Sequence, residues 1–164
     1  MILDLKNLFL NDGQSKDLQY NMDLSDVEID DVHPFISPVC VDVHVQSLAD
    51  VVLLIAVVRF DYRHPCDRCL SLTTKNYSYS FEHRIVNSTS SLANEDYVIA
   101  KDYAINLYEL VRADILLELP LKNLCSSSCK GLCPTCGTNL NYANCECDLH
   151  QVDPRLADLK NFLN

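Results

Sequence analysis

Eight cysteines stand in four close pairs: Cys66-Asp67-Arg68-Cys69, Cys125 with Cys129, Cys133-Pro134-Thr135-Cys136, and Cys145-Glu146-Cys147. A CxxC turn lets two sulfurs converge on one cation while amides of the same turn stabilise the thiolates. Two such pairs complete a tetrahedral shell, and four pairs make two zinc sites. The expected cofactor is therefore zinc, as two structural ions held by Cys66, Cys69, Cys125, Cys129, Cys133, Cys136, Cys145 and Cys147. In a local assignment Cys133, Cys136, Cys145 and Cys147 close one knuckle, and Cys66 and Cys69 meet Cys125 and Cys129. In a crossed assignment, as in a zinc ribbon, Cys66 and Cys69 join Cys133 and Cys136. The local one is favoured because a short loop costs less closure entropy.

Four thiolates around one ion leave no open position for water, so catalytic zinc is not expected. A redox-active Cys66/Cys69 pair is the sharper alternative, but the thioredoxin context is a βαβ pattern and here β runs flank the motif. The ninth thiol, Cys40, lies on a strand pattern and reads as a small packed residue. His64 and His150 lie near the clusters, but eight cysteines already fill two shells. No HExxH helix, phosphate loop or Ser-His-Asp ordering is present, and three glycines leave no dinucleotide fingerprint. No enzyme activity and no small-molecule substrate are expected.

The elements that position these thiols are mostly strands. At 164 residues with 48% hydrophobic content, the chain can bury one core. Residues 1–31 start apolar and turn acidic with Asp17, Asp23, Asp26, Glu28, Asp30 and Asp31, which reads as a strand pair closed by a solvated loop. Val39, Val41, Val43 and Val45 alternate with polar residues, the pattern of a strand with one buried face. The run 51–58 is apolar at every position and predicts a central strand buried on both faces. A third alternation surrounds Tyr77, Tyr79 and Phe81, with Cys66 and Cys69 in the turn before it. Asn106 with Glu109 predicts a capped helix whose stripe includes Leu107, Leu110, Val111 and the 115–117 group, ended by Pro120. Asp153-Pro154 opens a short terminal helix with Leu156, Leu159 and Leu163.

The expected fold class is α+β: an antiparallel β-sheet meander with one packed helix and a C-terminal zinc knuckle. Its expected parts are an α+β core over 1–124 and a cysteine-rich zinc-binding region with a terminal helix, packed on the core, over 125–164. No basic leader precedes a long apolar stretch, and the longest apolar run has only eight residues. The expectation is a cytoplasmic chain with no membrane span, in a compartment where disulfides seldom persist.

The formal charge is -10, falling to about -14 if two ions each bind four thiolates. Such a field does not attract phosphate backbones, so any nucleic-acid contact is local or made through a partner. The one basic stretch, 59–84, holds Arg59, Arg63, Arg68, Lys75 and Arg84 against Asp61, Asp67 and Glu82. With Tyr62, Tyr77, Tyr79 and Phe81 interleaved, it is a candidate RNA or partner contact centred on Arg59, Arg63 and Arg68. On charge alone, a sheet face paired with the acidic N-terminal region explains it better.

Several motifs occur together in a fixed order. They are Cys66-Asp67-Arg68-Cys69-Leu70 after a β run, Leu116-Leu117-Glu118-Leu119-Pro120, Leu124-Cys125, and Cys129-Lys130-Gly131-Leu132-Cys133-Pro134-Thr135-Cys136-Gly137. Asn139-Leu140 and Asp153-Pro154-Arg155-Leu156 complete the series. Across essentially the whole chain this order resembles the YceD family of bacteria and plastids. The resemblance implies a non-enzymatic ribosome-biogenesis factor linked to accumulation or processing of large-subunit ribosomal RNA. A ribosomal or rRNA-processing protein is then the expected partner, with local rRNA contact. Some family members lack the four later cysteines, which implies a separable distal knuckle. The rival expectations are a thiol-based redox or zinc-release switch, and an acidic adaptor for a basic ribosomal protein.

Overall fold

In the computed structural model, which describes residues 1–88, 90 and 96–147, the chain forms two compact units. The first comprises Met1–His64 and Thr74–Leu121; the second comprises Pro65–Thr73 with the chain from Lys122 onward.

The first unit is built on a five-stranded sheet. Its strands are β2 (Ser15–Met22), β3 (Val39–Leu48), β4 (Val51–Pro65), β5 (Leu72–Asn87) and β6 (Val98–Ala100), in spatial order β2-β3-β4-β5-β6. β2 pairs antiparallel with β3, and β3 with β4, in registers such as Tyr20↔Val41 and Val43↔Ala56. The link from β4 to β5, residues 66–71, is too short for a crossover, so these neighbours are antiparallel too. The expected meander is therefore present, with one departure. β6 joins β5 in parallel, Val86 opposite Ile99, after a connection over 88–97 long enough to carry the chain back.

A strand pair within 1–31 does not form. β1 (Ile2–Asp4) pairs instead with β7 (Ala104–Asn106), Leu3 opposite Ile105. Asp4 accepts the N–H of Lys6 at 2.8 Å as the chain turns into α1 (Lys6–Leu10), which buries Leu8. The partner of β1 lies about a hundred residues away in sequence, beyond any local pattern. In the acidic loop, Ile29 and Val32 exchange both backbone hydrogen bonds around Asp30 and Asp31, at φ 51° and 61°. Aspartate is among the few side chains that tolerate this left-handed two-residue turn.

Along β4 the expected burial on both faces is not observed. Val52, Leu54, Ala56 and Val58 are fully buried, whereas Val51, Leu53, Ile55 and Val57 are only half-buried. An antiparallel sheet packed on one side needs only one dry face, and an unbroken apolar run does not reveal which side is covered.

α2 (Leu107–Glu118) starts as its cap predicts, with the Asn106 side chain accepting the N–H of Glu109 at 3.5 Å. It buries Leu107, Val111 and Ile115 in the core with Leu5, Met22, Leu24 and Ile85. Asp114 meets His83 of β5 at 2.7 Å, which ties the helix to the sheet. The helix stops before Pro120, and Leu117 is 85% exposed, so the apolar stripe is narrower than the sequence suggests. With α1, the sheet carries two helices where one was expected. The terminal helix predicted near 153–163 lies outside the described residues. Among the described residues, no helix is long and apolar enough to cross a membrane.

Candidate metal centre

The proximal thiols arise where β4 ends. Cys66 donates its N–H to Ser71 O and accepts from Leu70 N–H through its carbonyl, both at 2.9 Å, so the chain folds into a tight turn with amides facing the sulfur. Asn123 fastens this turn to the segment that brings Cys125. Its amide nitrogen donates to Pro65 O and to Thr73 Oγ1 at 2.9 Å each. Its N–H donates to Asp67 Oδ2 at 2.8 Å, and its carbonyl accepts from Asp67 N–H at 2.9 Å. Nothing in the spacing of Asn123 marks it out from other polar loop residues, and sequence reasoning missed it.

Cys66, Cys69 and Cys129 are buried with Leu124 and Leu132 packed on them, while Cys125 is exposed. The sulfurs of Cys66, Cys69, Cys125 and Cys129 lie within 4.8 Å of one another. Cys69 and Cys125 are 3.6 Å apart and Cys66 and Cys129 are 3.9 Å apart. A tetrahedron with Zn–S bonds of about 2.3 Å has edges of about 3.8 Å, so these thiols fit a single ion of that kind. They are also far too distant to be disulfides.

The distal thiols repeat the design. Cys133 donates its N–H to Thr138 O at 2.8 Å and accepts from Gly137 N–H at 2.9 Å. Cys133, Cys136, Cys145 and Cys147 again lie within 4.8 Å of one another. The sulfurs thus gather in the local grouping, not across it. Cys40 is half-buried on β3 and belongs to neither set. His64 is buried, stacked on Tyr62 with rings 5.7 Å apart, and is also in neither set. His150 lies outside the described residues.

The electrostatics of both sets ask for a cation. Burial pushes the Cys66 thiol up, but backbone N–H groups of Cys125, Arg68 and Cys69 outweigh it and hold the pKa at about 6. The Thr138 hydroxyl and N–H hold Cys136 at about 6. Contact with Cys129 pushes Cys125 up to about 12, and contact with Cys136 does the same to Cys147. In each set the turn favours thiolates, and a facing thiol keeps its proton in a hydrogen bond to a neighbouring sulfur. A divalent ion at the centre would take the place of those protons and be held by all four sulfurs. An ion held by all four sulfurs of a set would have no position left for a water or a substrate.

The arginines and aromatics of 59–84 do not share a face. Period two along β4 puts Arg59 and Arg63 on the exposed side and Phe60 and Tyr62 on the buried side. Phe60 contacts Tyr77 and Tyr79 of β5 at 5.8 and 6.0 Å, so those rings also belong to the core side. Arg59 pairs with Asp42 at 2.7 Å on the outer face, where Asp61 accepts from Asn76 at 2.9 Å. Arg63 is exposed. Arg68, in the second unit, donates to Cys129 O at 2.9 Å.

Comparison with known proteins adds a lineage. The sequence model of the family described as "Large ribosomal RNA subunit accumulation protein YceD" matches residues 55–163. The uncharacterized protein YlbN of Bacillus subtilis is 32% identical over 101 residues, 60% of this chain and 59% of that protein. An uncharacterized Mycobacterium tuberculosis protein is 32% identical over 127 residues, 74% of this chain and 60% of its own. An Arabidopsis thaliana protein named "Large ribosomal RNA subunit accumulation protein YCED homolog 1, chloroplastic" is 35% identical over 57 residues, 35% of this chain and 18% of its own. The chain thus spans about three fifths of the two bacterial relatives and a smaller part of the plant one. No solved structure matches it.

Proposed function

The chain belongs to the YceD family, and on that premise we propose that it is a non-enzymatic zinc-binding factor that supports accumulation or processing of large-subunit ribosomal RNA. The observation that carries this reading is a pair of closed four-thiol clusters in a chain whose named plant relative is a large ribosomal RNA subunit accumulation protein. Closed thiolate shells hold a surface in shape, and a shaped surface without a reaction centre is what a binding factor needs. Zinc is the ion of choice because an all-sulfur tetrahedron suits it and its lack of redox chemistry suits a structural role.

The partner is a basic ribosomal or rRNA-processing protein. Between Lys16 and Arg59 the sequence has no lysine or arginine and eight acidic residues, a field that attracts a basic protein and repels RNA. Contact with ribosomal RNA runs locally through the exposed Arg63 and its neighbour Arg59.

Depleting the protein in its source cells is expected to lower the ratio of large- to small-subunit ribosomal RNA. The wild-type chain should restore the ratio, and a chain with Cys66 and Cys129 changed to serine should not. Cross-linking of the tagged chain in growing cells is expected to recover a basic protein of the large subunit. An unchanged ratio after full depletion would reject the reading. Ready loss of zinc with disulfide formation under mild oxidant would favour a redox switch instead.

A further inference from the structure

The loop that closes the distal cluster carries a side chain that belongs to the proximal one. Asn141 lies between the distal ligands Cys136 and Cys145. Its amide nitrogen donates to Cys129 Sγ at 3.3 Å and to Asn139 Oδ1 at 2.8 Å, and its Oδ1 accepts the N–H of Lys130 at 2.8 Å. Asn139 Oδ1 also accepts the Asn141 N–H at 3.1 Å, and Leu140 donates to Gly131 O at 2.9 Å. Cys129 is therefore gripped by Asn141 at its sulfur and by Arg68 at its carbonyl.

The gripped segment has little slack. Leu132 donates to Arg68 O at 3.0 Å. Gly131, at φ 79°, sits so close that a Cβ there would lie 3.1 Å from that same oxygen. A donor on a ligating sulfur fixes its direction and spreads its charge, which is how groups outside the ligand shell tune a metal site. That donor stands on the loop 137–144 between the distal thiols Cys136 and Cys145, and ligation of both thiols would pin the two ends of the loop.

Resting on the zinc reading above, we propose that Asn141 is a positioning residue for the proximal site and couples the two ions, so that each raises the affinity of the other. Distal ligation orders the loop, the loop presents the Asn141 amide to Cys129, and the proximal ion binds more tightly. The reverse effect must be equal in size, because the coupling is a property of the doubly loaded state. The distal knuckle is then not the separable appendage that the family resemblance implies.

The test is a Co2+ titration of the full chain, under reductant and against a competing chelator, followed by Zn2+ displacement. Charge transfer from thiolate to cobalt reports the ligands of each ion. Cys145→Ser with Cys147→Ser isolates the proximal site, and Cys66→Ser with Cys69→Ser isolates the distal one. The two-ion binding constant of the wild type is expected to exceed the product of the isolated constants by about tenfold or more. Asn141→Asp keeps an acceptor for Lys130 but replaces the donor at Cys129, and should remove most of that excess.

A wild-type constant equal to the product, or an excess retained by Asn141→Asp, overturns the proposal. Where a cysteine variant fails to fold, chelator-driven Zn2+ release decides the matter. The wild type is expected to lose both ions together and Asn141→Asp to lose them one after the other, and identical release from both chains overturns the coupling. Two ions that bind independently overturn the coupling alone, whereas a chain that binds no Co2+ or Zn2+ overturns the zinc reading with it.

Discussion

Leu70 and Gly137 hold the same place in two turns of the same geometry: each donates its N–H to the carbonyl of the first cysteine of its CxxC pair at 2.9 Å, and each has left-handed backbone, at φ 60° and 73°. Glycine adopts that conformation freely, whereas leucine puts its Cβ against a carbonyl oxygen. Leu70 is 65% exposed, so little packing compensates. Leu70→Asn is therefore expected to stabilise the zinc-loaded chain by about 0.5–1 kcal/mol, since asparagine accepts the left-handed region without the entropy loss of glycine. Leu70→Val should destabilise it by about 1–2 kcal/mol. Urea midpoints at fixed free zinc measure both, and a more stable valine variant would remove the strain argument.

A second strain lies in the first unit. The hydroxyl of Tyr20, on edge strand β2, is buried with no hydrogen-bond partner among the described residues, and burial pushes its pKa up to about 12. An unsatisfied buried hydroxyl costs about 1–3 kcal/mol, so Tyr20→Phe is expected to be neutral or stabilising near pH 7. The raised pKa adds a sign. The fold keeps a proton that the unfolded chain gives up, so Tyr20 costs stability as pH rises from about 10 to 12. The phenylalanine variant should lose less stability across that window, as followed by chemical unfolding. Equal alkaline losses in the two chains would mean that the hydroxyl is hydrated.

What could be read in the sequence was whatever depends on neighbours in the chain. The alternation of Val39, Val41, Val43 and Val45 marked a half-buried strand, and Asn106 with Glu109 marked the start of a helix. The close spacing of thiols marked which sulfurs could gather. What stayed hidden depends on distant partners. β1 pairs with β7 from the other end of the first unit, β6 pairs parallel with β5, and Leu53 and Ile55 are half-buried because no layer of the described residues fully covers their side of the sheet. Arg59 and Tyr62 looked like members of one surface because they are close in sequence, yet the pleat sends them to opposite faces.

Asn123 shows how much of a candidate metal site can lie outside its thiols. One buried side chain and its backbone bridge Pro65, Asp67 and Thr73 beside the proximal thiols. Asn123→Ala removes the bonds that its amide nitrogen gives to Pro65 O and Thr73 Oγ1, at a cost of about 1–3 kcal/mol. Because those bonds hold the turn that carries Cys66 and Cys69, proximal zinc affinity should also fall by about tenfold. The distal site should hold its ion as before. Competition with a chelator separates the two effects, and unchanged proximal affinity would confine Asn123 to folding.

Acidity and metal act on the same thiols with a defined sign. Without a cation, Cys66 and Cys136 are held at about 6 against an ordinary 9.0, and Cys125 and Cys147 are pushed up to about 12. Between about pH 6 and 9 the unfolded chain binds protons that the first two have shed in the fold, so stability rises with pH there and is lost as pH falls through about 6. Above about 9 the second two keep protons that the unfolded chain releases, so stability falls toward pH 12. The zinc-free chain is therefore expected to be most stable near pH 9, measured as urea midpoints under reductant with chelator present. Loading an ion would strip the protons from Cys125 and Cys147, so zinc affinity should fall as pH drops below about 12, and more steeply below about 6, where Cys66 and Cys136 are protonated too. Binding heats should change with the ionisation enthalpy of the buffer in proportion to the protons released. Buffer-independent heats at pH 7.5 would show that the thiols were already ionised, and the account of Cys125 and Cys147 would fail.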